Sequence, residues 1–352
     1  MVNKYKKWQK NNGNGKKNNG SSMISIRARI LEIILKFHRH KAFLKRLAGL
    51  SDIQKAARFV WSDPFSRGNF QIPGWLFKGF RVLQGGLVSD HSEGKYYVIS
   101  PPCADNKRVM IYLHGGGYFK NILFEHWMFI RKLIKKSNIT VIVFNYPLVP
   151  GHTFRDVFIS LYGFYTDLIN KKDPLLMEHA RKKIIMAGDS AGGALALAFS
   201  MHLRNLGERL PEKLLLFSPF LDASCSNPQI KELAENDLIL HAGGARAAGR
   251  LYAGQTKTNS PDSGLKHWMI SPFYGDLQGL PDIDLFGGSC EIFRPDIERF
   301  HEMLIKAGQK SRLYIKEGMQ HVYMIFAIPE ADETIENISF FENNNYCSGI
   351  GK

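Results

Sequence analysis

Lys183-Ile184-Ile185-Met186-Ala187-Gly188-Asp189-Ser190-Ala191-Gly192-Gly193 runs directly into Ala194-Leu195-Ala196-Leu197-Ala198-Phe199. The first apolar run reads as a buried strand, and the small-residue run after Gly193 reads as a helix packed tightly on a sheet. Between them lies Gly-x-Ser-x-Gly, a strand-turn-helix elbow that holds a serine in a strained turn at a helix N-terminus. Gly188 and Gly192 are small because strand and helix must pass closely there. Upstream, Arg108-Val109-Met110-Ile111-Tyr112-Leu113 reads as a second buried strand and leads into His114-Gly115-Gly116-Gly117-Tyr118. Three glycines after a strand let backbone N–H groups turn toward an anion with no Cβ in the way. With a serine elbow downstream, that loop reads as an oxyanion hole.

The composition bounds the rest. The chain has 352 residues, 44% of them hydrophobic, and a net charge of +15. Residues 1–60 hold fifteen Lys or Arg against Glu32 and Asp52, a local charge of +13, leaving +2 for the other 292 residues. The basic excess therefore belongs to the N-terminus, and no basic face for nucleic acid is implied elsewhere. Cys103, Cys225, Cys290 and Cys347 lack metal-ligand spacing and read as free thiols, which suits a cytoplasmic protein. No apolar run reaches the roughly 18 residues of a membrane span, and no signal peptide is expected.

Taken in order, residues 1–22 are rich in Lys, Asn and Gly and read as a disordered basic tail. Over residues 23–49, Ile26, Ile30, Ile33, Ile34 and Phe37 recur at i, i+4, i+7, i+8 and i+11, the pattern of an amphipathic helix. Residues 23–78 are expected to form N-terminal cap helices whose apolar face lies over the catalytic body. The basic face could also touch anionic membrane weakly through residues 1–50. From residue 79, an antiparallel edge hairpin precedes strands alternating with helices, which argues for a mainly parallel sheet covered on both faces. The expected catalytic body is 79–222 and 276–342, with a cap insertion at 223–275 and a loose tail at 343–352.

His114-Gly115-Gly116-Gly117 together with Gly188-Asp189-Ser190-Ala191-Gly192-Gly193 resembles the hormone-sensitive-lipase-like family of α/β-hydrolases, over roughly residues 80–342. Tyr146-Pro147-Leu148-Val149-Pro150, Ser218-Pro219-Phe220-Leu221-Asp222, Ile270-Ser271-Pro272 and Gly318-Met319-Gln320-His321 are further points of similarity. Gly151 departs from the pattern, where relatives usually carry a glutamate. The resemblance implies an α/β-hydrolase fold with a helical cap. It also implies a serine carboxylic ester hydrolase acting on short- or medium-chain acyl esters, with no cofactor or metal. An amidase or lactonase with the same triad, or a non-catalytic receptor on the same fold, are the alternatives. Monomer and dimer both remain open.

Hydrolysis by serine needs a base, and a third group to orient that base. The order in this fold is serine, acid, histidine. His321 alone follows the last expected strand in a loop, whereas His301 lies in an expected helix and His114 precedes the serine. By resemblance, the oxyanion hole is Gly115, Gly116, Gly117 and Ala191, with Gly115 shaping the loop. For the acid, Glu291, Asp296 and Glu298 follow the penultimate strand, and Asp222 follows an earlier one. The resemblance points to Glu291, at a place where many relatives carry aspartate. Asp296 reads instead as a stabilising acid in a helix's first turn. The acyl and alcohol pockets are expected to be lined by Ile33, Ile34 and Phe37.

Overall fold

A computed structural model describes residues 24–37, 40–50, 52–63, 70–87, 94–255 and 262–338. The basic tail 1–22, the tail 343–352 and Cys347 lie outside these residues. Three N-terminal helices come first: α1 (Ile26–Phe37), α2 (His40–Ala48) and α3 (Ile53–Ser62). Asp52 caps α3, its carboxylate accepting the Gln54 and Lys55 N–H groups at 2.7 and 3.3 Å. The catalytic body follows as β1 (Arg81–Gly86), β2 (Lys95–Ser100), β3 (Asp105–Leu113), α4 (Phe124–Ser137), β4 (Ile139–Asn145), α5 (Phe154–Ile169), β5 (Lys183–Asp189), α6 (Ala191–Asn205) and β6 (Lys213–Phe217). Two helices, α7 (Ile230–Leu233) and α8 (Ala242–Tyr252), intervene before the sheet resumes. It ends with β7 (Asp282–Gly288), α9 (Arg294–Lys306), β8 (Ser311–Lys316) and α10 (Pro329–Glu336).

The eight strands form one sheet in the order β1-β2-β4-β3-β5-β6-β7-β8. β1 and β2 pair antiparallel and β2 joins β4 antiparallel, as the edge hairpin predicts, while the other neighbours are parallel. Val109–Leu113, Val141–Phe144, Ile184–Ala187 and Leu214–Phe217 are buried throughout. This explains why these strands read as continuous apolar runs and not as alternating ones: helices cover both faces of a parallel sheet. Two cores result, one on each face.

At the elbow, Ser190 has φ +51°, a left-handed conformation that a side chain adopts only when its surroundings enforce it. The enforcement is visible. Ser190 N–H donates to the Phe217 carbonyl (2.8 Å) at the end of β6, and the Ser190 carbonyl accepts from Phe220 N–H (3.0 Å). A Cβ on Gly188 would stand 2.5 Å from the Gly192 carbonyl oxygen and 2.8 Å from that of Leu113, so the strand-to-helix approach excludes any side chain.

The N-terminal region differs from the expectation in two respects. The described residues there fall in two helices, Ile26–Phe37 and His40–Ala48, where one is expected. The face carrying Ile26, Ile30, Ile33 and Ile34 points outward, whereas Ala28 and Leu35 are buried and Leu31 is partly buried. Ser25 decides this rotation. Its N–H and hydroxyl donate to the Glu330 carboxylate of α10 at 2.7 and 2.9 Å, fixing the first turn of α1 against the far end of the chain. The α1 sequence carries apolar residues on both sides, and periodicity alone selected the larger stripe. The side chain of Phe37 is outside the described set.

Gly188→Ala should lower the unfolding free energy in urea by about 1–3 kcal/mol or more, because the new methyl meets backbone on two sides. Gly74→Ala, where a Cβ would have nothing within 4 Å, is the matched control and should leave the midpoint nearly unchanged.

Candidate active site

Three strands bring the expected chemistry together at their C-terminal ends. Ser190 follows β5, Glu291 follows β7, and His321 follows β8. His321 Nε2 lies 2.9 Å from Ser190 Oγ, and His321 Nδ1 lies 2.5 Å from Glu291 Oε2. Glu291 is fully buried. Its second oxygen accepts the Ser218 hydroxyl (2.9 Å) and the Gly288 N–H (2.8 Å). Ser218 Oγ in turn accepts the Val322 N–H at 3.1 Å. One hydroxyl, on the turn after β6, thus ties the acid to the backbone of the histidine loop.

The other three carboxylates have different partners. Asp222 accepts from Ser224, Ser226 and Tyr274. Glu298 is partly exposed and pairs with Arg294 at 3.7 Å. Asp296, in the first turn of α9, is buried and accepts from Asn227 Nδ2 at 2.8 Å. Burial, with Asp222 nearby, pushes its pKa up to about 6 although the Asn227 bond favours the anion. At neutral pH the ionised Asp296 is therefore a burden on the fold, and the expected gain from the helix dipole is outweighed by lost hydration.

The glycine loop is held from below by Asp189, the residue before the serine. Its Oδ1 accepts the Gly115 N–H (2.9 Å) and the Tyr112 hydroxyl (2.6 Å). Its Oδ2 lies 3.2 Å from His126 Nε2. His126 Nδ1 accepts the Leu123 N–H (3.0 Å), so its Nε2 carries the proton and donates to Asp189. Burial alone would raise the Asp189 carboxyl, but His126, Tyr112 and Gly115 together hold it below its ordinary value. Since the Gly115 N–H is engaged in this way, Gly115 shapes the loop and does not supply a donor to the pocket. Gly116 and Gly117, at φ +115° and +62°, line the pocket beside Ser190, and Ala191 begins α6. The Tyr146 hydroxyl donates to the His114 carbonyl at 2.6 Å, and burial lowers the His114 pKa to about 4, leaving it neutral.

Asp189, Tyr112, His126 and Ser218 were not singled out in the sequence. Asp189 sits inside the motif and was readable there. The other three lie 63 to 77 residues from their partners, and no local spacing marks them.

The pocket beside Ser190 has a volume of about 290 Å³. Its wall is mainly apolar: Leu31, Ile34 and Leu35 from α1, Leu238–Leu240 from the insertion, and Phe293. Ile34 lines it as expected, but Ile33 does not. Gln320, next to His321, accepts the Leu238 N–H at 2.8 Å and donates to the Asn236 carbonyl at 3.1 Å, coupling the histidine loop to the insertion. Helices α2 and α8 touch so closely that a Cβ on Gly244 would meet the Leu44 backbone. Tyr118 of the glycine loop stacks on Tyr252 of α8 with centroids 3.7 Å apart. At the polar edge, Lys120 Nζ lies 2.8 Å from His40 Nδ1, and burial lowers the lysine's pKa. Among the described residues, no group of three His, Cys, Asp or Glu side chains could hold a metal ion. No described helix is long and apolar enough to cross a membrane.

Comparison with known proteins agrees with this geometry. Residues 110–325 match a family described as alpha/beta hydrolase fold. An esterase of Acinetobacter venetianus is 29% identical over 240 residues, covering 68% of this chain and 75% of that protein. An acetyl-hydrolase of Streptomyces hygroscopicus is 26% identical over 237 residues, covering 67% and 75%. The crystal structure of an esterase from the bacterial hormone-sensitive lipase family superposes with a TM-score of 0.63 at 23% identity, covering 84% of this chain and 95% of that one.

The Asp296 carboxyl gives a pH-dependent prediction. Below about pH 3 it is protonated both in the folded and in the unfolded chain, so it has no differential effect. As pH rises from 4 to about 6, the folded protein holds a proton that the unfolded chain releases, and stability falls. Asp296→Asn removes this dependence. The variant should be more stable than the parent at pH 7–8, by at most about 3 kcal/mol, with the gain vanishing at about pH 3 in urea titrations.

Proposed function

We propose that this chain, which belongs to the α/β-hydrolase-fold family and is a carboxylesterase/lipase-type hydrolase, is hormone-sensitive-lipase-like within that family and cleaves short- or medium-chain carboxylic esters through an acyl-enzyme on Ser190. The observation that carries this reading is the unbroken hydrogen-bonded line from Ser190 Oγ through His321 to Glu291. In this mechanism the serine oxygen attacks the ester carbonyl while His321 Nε2 takes its proton. Glu291 holds the ring with Nε2 toward the serine and stabilises the imidazolium that forms. The tetrahedral oxyanion accepts N–H groups from Gly116, Gly117 and Ala191, each donor of this kind being worth about 2.7–4 kcal/mol in comparable enzymes. His321 then returns the proton to the leaving alkoxide. In the second half it takes a proton from the water that attacks the acyl carbonyl and returns it to Ser190 Oγ as the Oγ–acyl bond breaks and the carboxylic acid leaves.

The substrate range follows from the pocket. A volume of about 290 Å³ lies at the small end of ligand sites, which run from roughly 300 to 1,000 Å³. The apolar wall suits an alkyl chain, and the small volume favours a short one. The thiols of Cys103 and Cys290, which are not joined in a disulfide, support placing the enzyme in the cytoplasm.

Three measurements test the proposal. A fluorophosphonate probe should label the parent protein and not Ser190→Ala, and p-nitrophenyl butyrate turnover should be lost with the label. Persistent labelling of the variant would assign the nucleophile to another serine. Glu291→Gln should reduce kcat by roughly 10³–10⁴ with KM nearly unchanged, because it disturbs the histidine and not the pocket. Retention of more than about a tenth of kcat in Glu291→Gln would remove the acid from that role. Across p-nitrophenyl acetate, butyrate, octanoate and palmitate, kcat/KM should peak at the short or middle lengths. A maximum at palmitate would refute the size argument.

A further inference from the structure

The outward face of α1 leaves a row of large apolar side chains in water. Ile26 is 78% exposed, and Ile30, Ile33 and Ile34 are each more than half exposed. At 100° per residue these four occupy one side of the helix, opposite buried Ala28 and Leu35. Arg27 flanks the row on one side, and Arg29 and Lys36 flank it on the other. That is the arrangement of a helix lying in a membrane interface, apolar stripe down and cationic heads level with the phosphates. The Ser25–Glu330 hydrogen bonds anchor the helix, so the stripe is presented in a fixed direction.

A second apolar surface borders the same pocket. Leu123 and Glu125 line it, and Phe124 between them is 44% exposed. The Phe124 ring stacks at 5.8 Å on Trp75, which is 72% exposed. Leu31 and Ile34 of α1 line that pocket too. Ile34 of the isoleucine row and both chain neighbours of Phe124 therefore line one opening. Trp is enriched at the level of lipid headgroups.

We propose that this face docks on an anionic lipid bilayer. Charge selects that occupant: residues 1–60 carry +13 of the chain's +15, and clustered Lys and Arg beside an amphipathic helix are drawn to acidic headgroups. Docking places the pocket mouth at the bilayer surface. The proposal concerns binding and stands whether or not Ser190 is the nucleophile.

The test is co-sedimentation of the full chain with vesicles of phosphatidylcholine alone and of phosphatidylcholine with about one-third phosphatidylglycerol, matched to the anionic requirement. The parent should pellet with the anionic vesicles and stay in solution with the neutral ones. The triple variant Ile26→Gln, Ile30→Gln, Ile33→Gln should bind anionic vesicles at least about tenfold more weakly. Its thermal melt should match the parent's, because these side chains are exposed; if it does not, Ile33→Gln alone serves, with a smaller loss in the same direction. Arg27→Gln, Arg29→Gln, Lys36→Gln should reduce the difference between the two vesicle types. Absence of parent binding to the anionic vesicles overturns the proposal. So does undiminished binding by the isoleucine variant, which would leave the basic tail as the whole attraction. A parent dimer in sedimentation velocity that the isoleucine variant converts to monomer would assign the stripe to a second copy of the chain and also overturn it.

Discussion

The backbone of Ser190 is the constraint on which the remaining geometry depends. A non-glycine residue at φ +51° persists only when its surroundings over-determine it. Here the carbonyl of Phe217 accepts its N–H, and its own carbonyl accepts from Phe220. Both partners lie at the exit of β6, the neighbouring strand, so the strained turn exists only when β5 and β6 are paired in register. The same turn starts α6, whose close approach to β3 and β5 requires Gly188 and Gly192. Local strain is thus stabilised by the assembled sheet, and the hydroxyl is raised above it.

The residues around that turn join neighbouring strands by shared polar atoms. Asp189 reaches from β5 to Tyr112 and Gly115 of β3 and its loop, and to His126 of α4. Ser218, after β6, reaches to Glu291 after β7 and to Val322 after β8. Both are buried, where an unsatisfied polar group would cost about 1–3 kcal/mol, so these links are strongly enforced. One network shapes the glycine loop and the other positions the histidine. They meet at the serine because consecutive parallel strands all end on one side of the sheet.

The pocket above is assembled from segments far apart in the chain. Helix α1 and the insertion between β6 and β7 supply about half of its apolar wall. Gln320 ties the insertion to the histidine loop, and the Tyr118–Tyr252 stack ties it to the glycine loop. A change in the insertion would therefore be felt at both His321 and Gly117, through contacts only one residue removed from each.

The sequence by itself determined the parallel sheet, the elbow, the glycine loop, and the candidates Ser190 and His321, because each is marked by a local pattern. Buried strands are continuous apolar runs, and tight turns require glycine. Placing Glu291 on His321 was less local: four carboxylates followed strands, the family resemblance favoured Glu291, and the partners of each in the folded chain agree with that choice. Asp296 looked like a stabilising first-turn acid, yet desolvation reverses the sign of its contribution at neutral pH. Tertiary structure alone decided the rotation of α1 and the roles of Asp189, His126 and Ser218. Helix α1 has two apolar stripes, and Ser25 meeting Glu330, 305 residues away, selects which one is buried. A helix's period is written in its own residues, whereas the face it turns inward depends on partners that only the folded chain brings near.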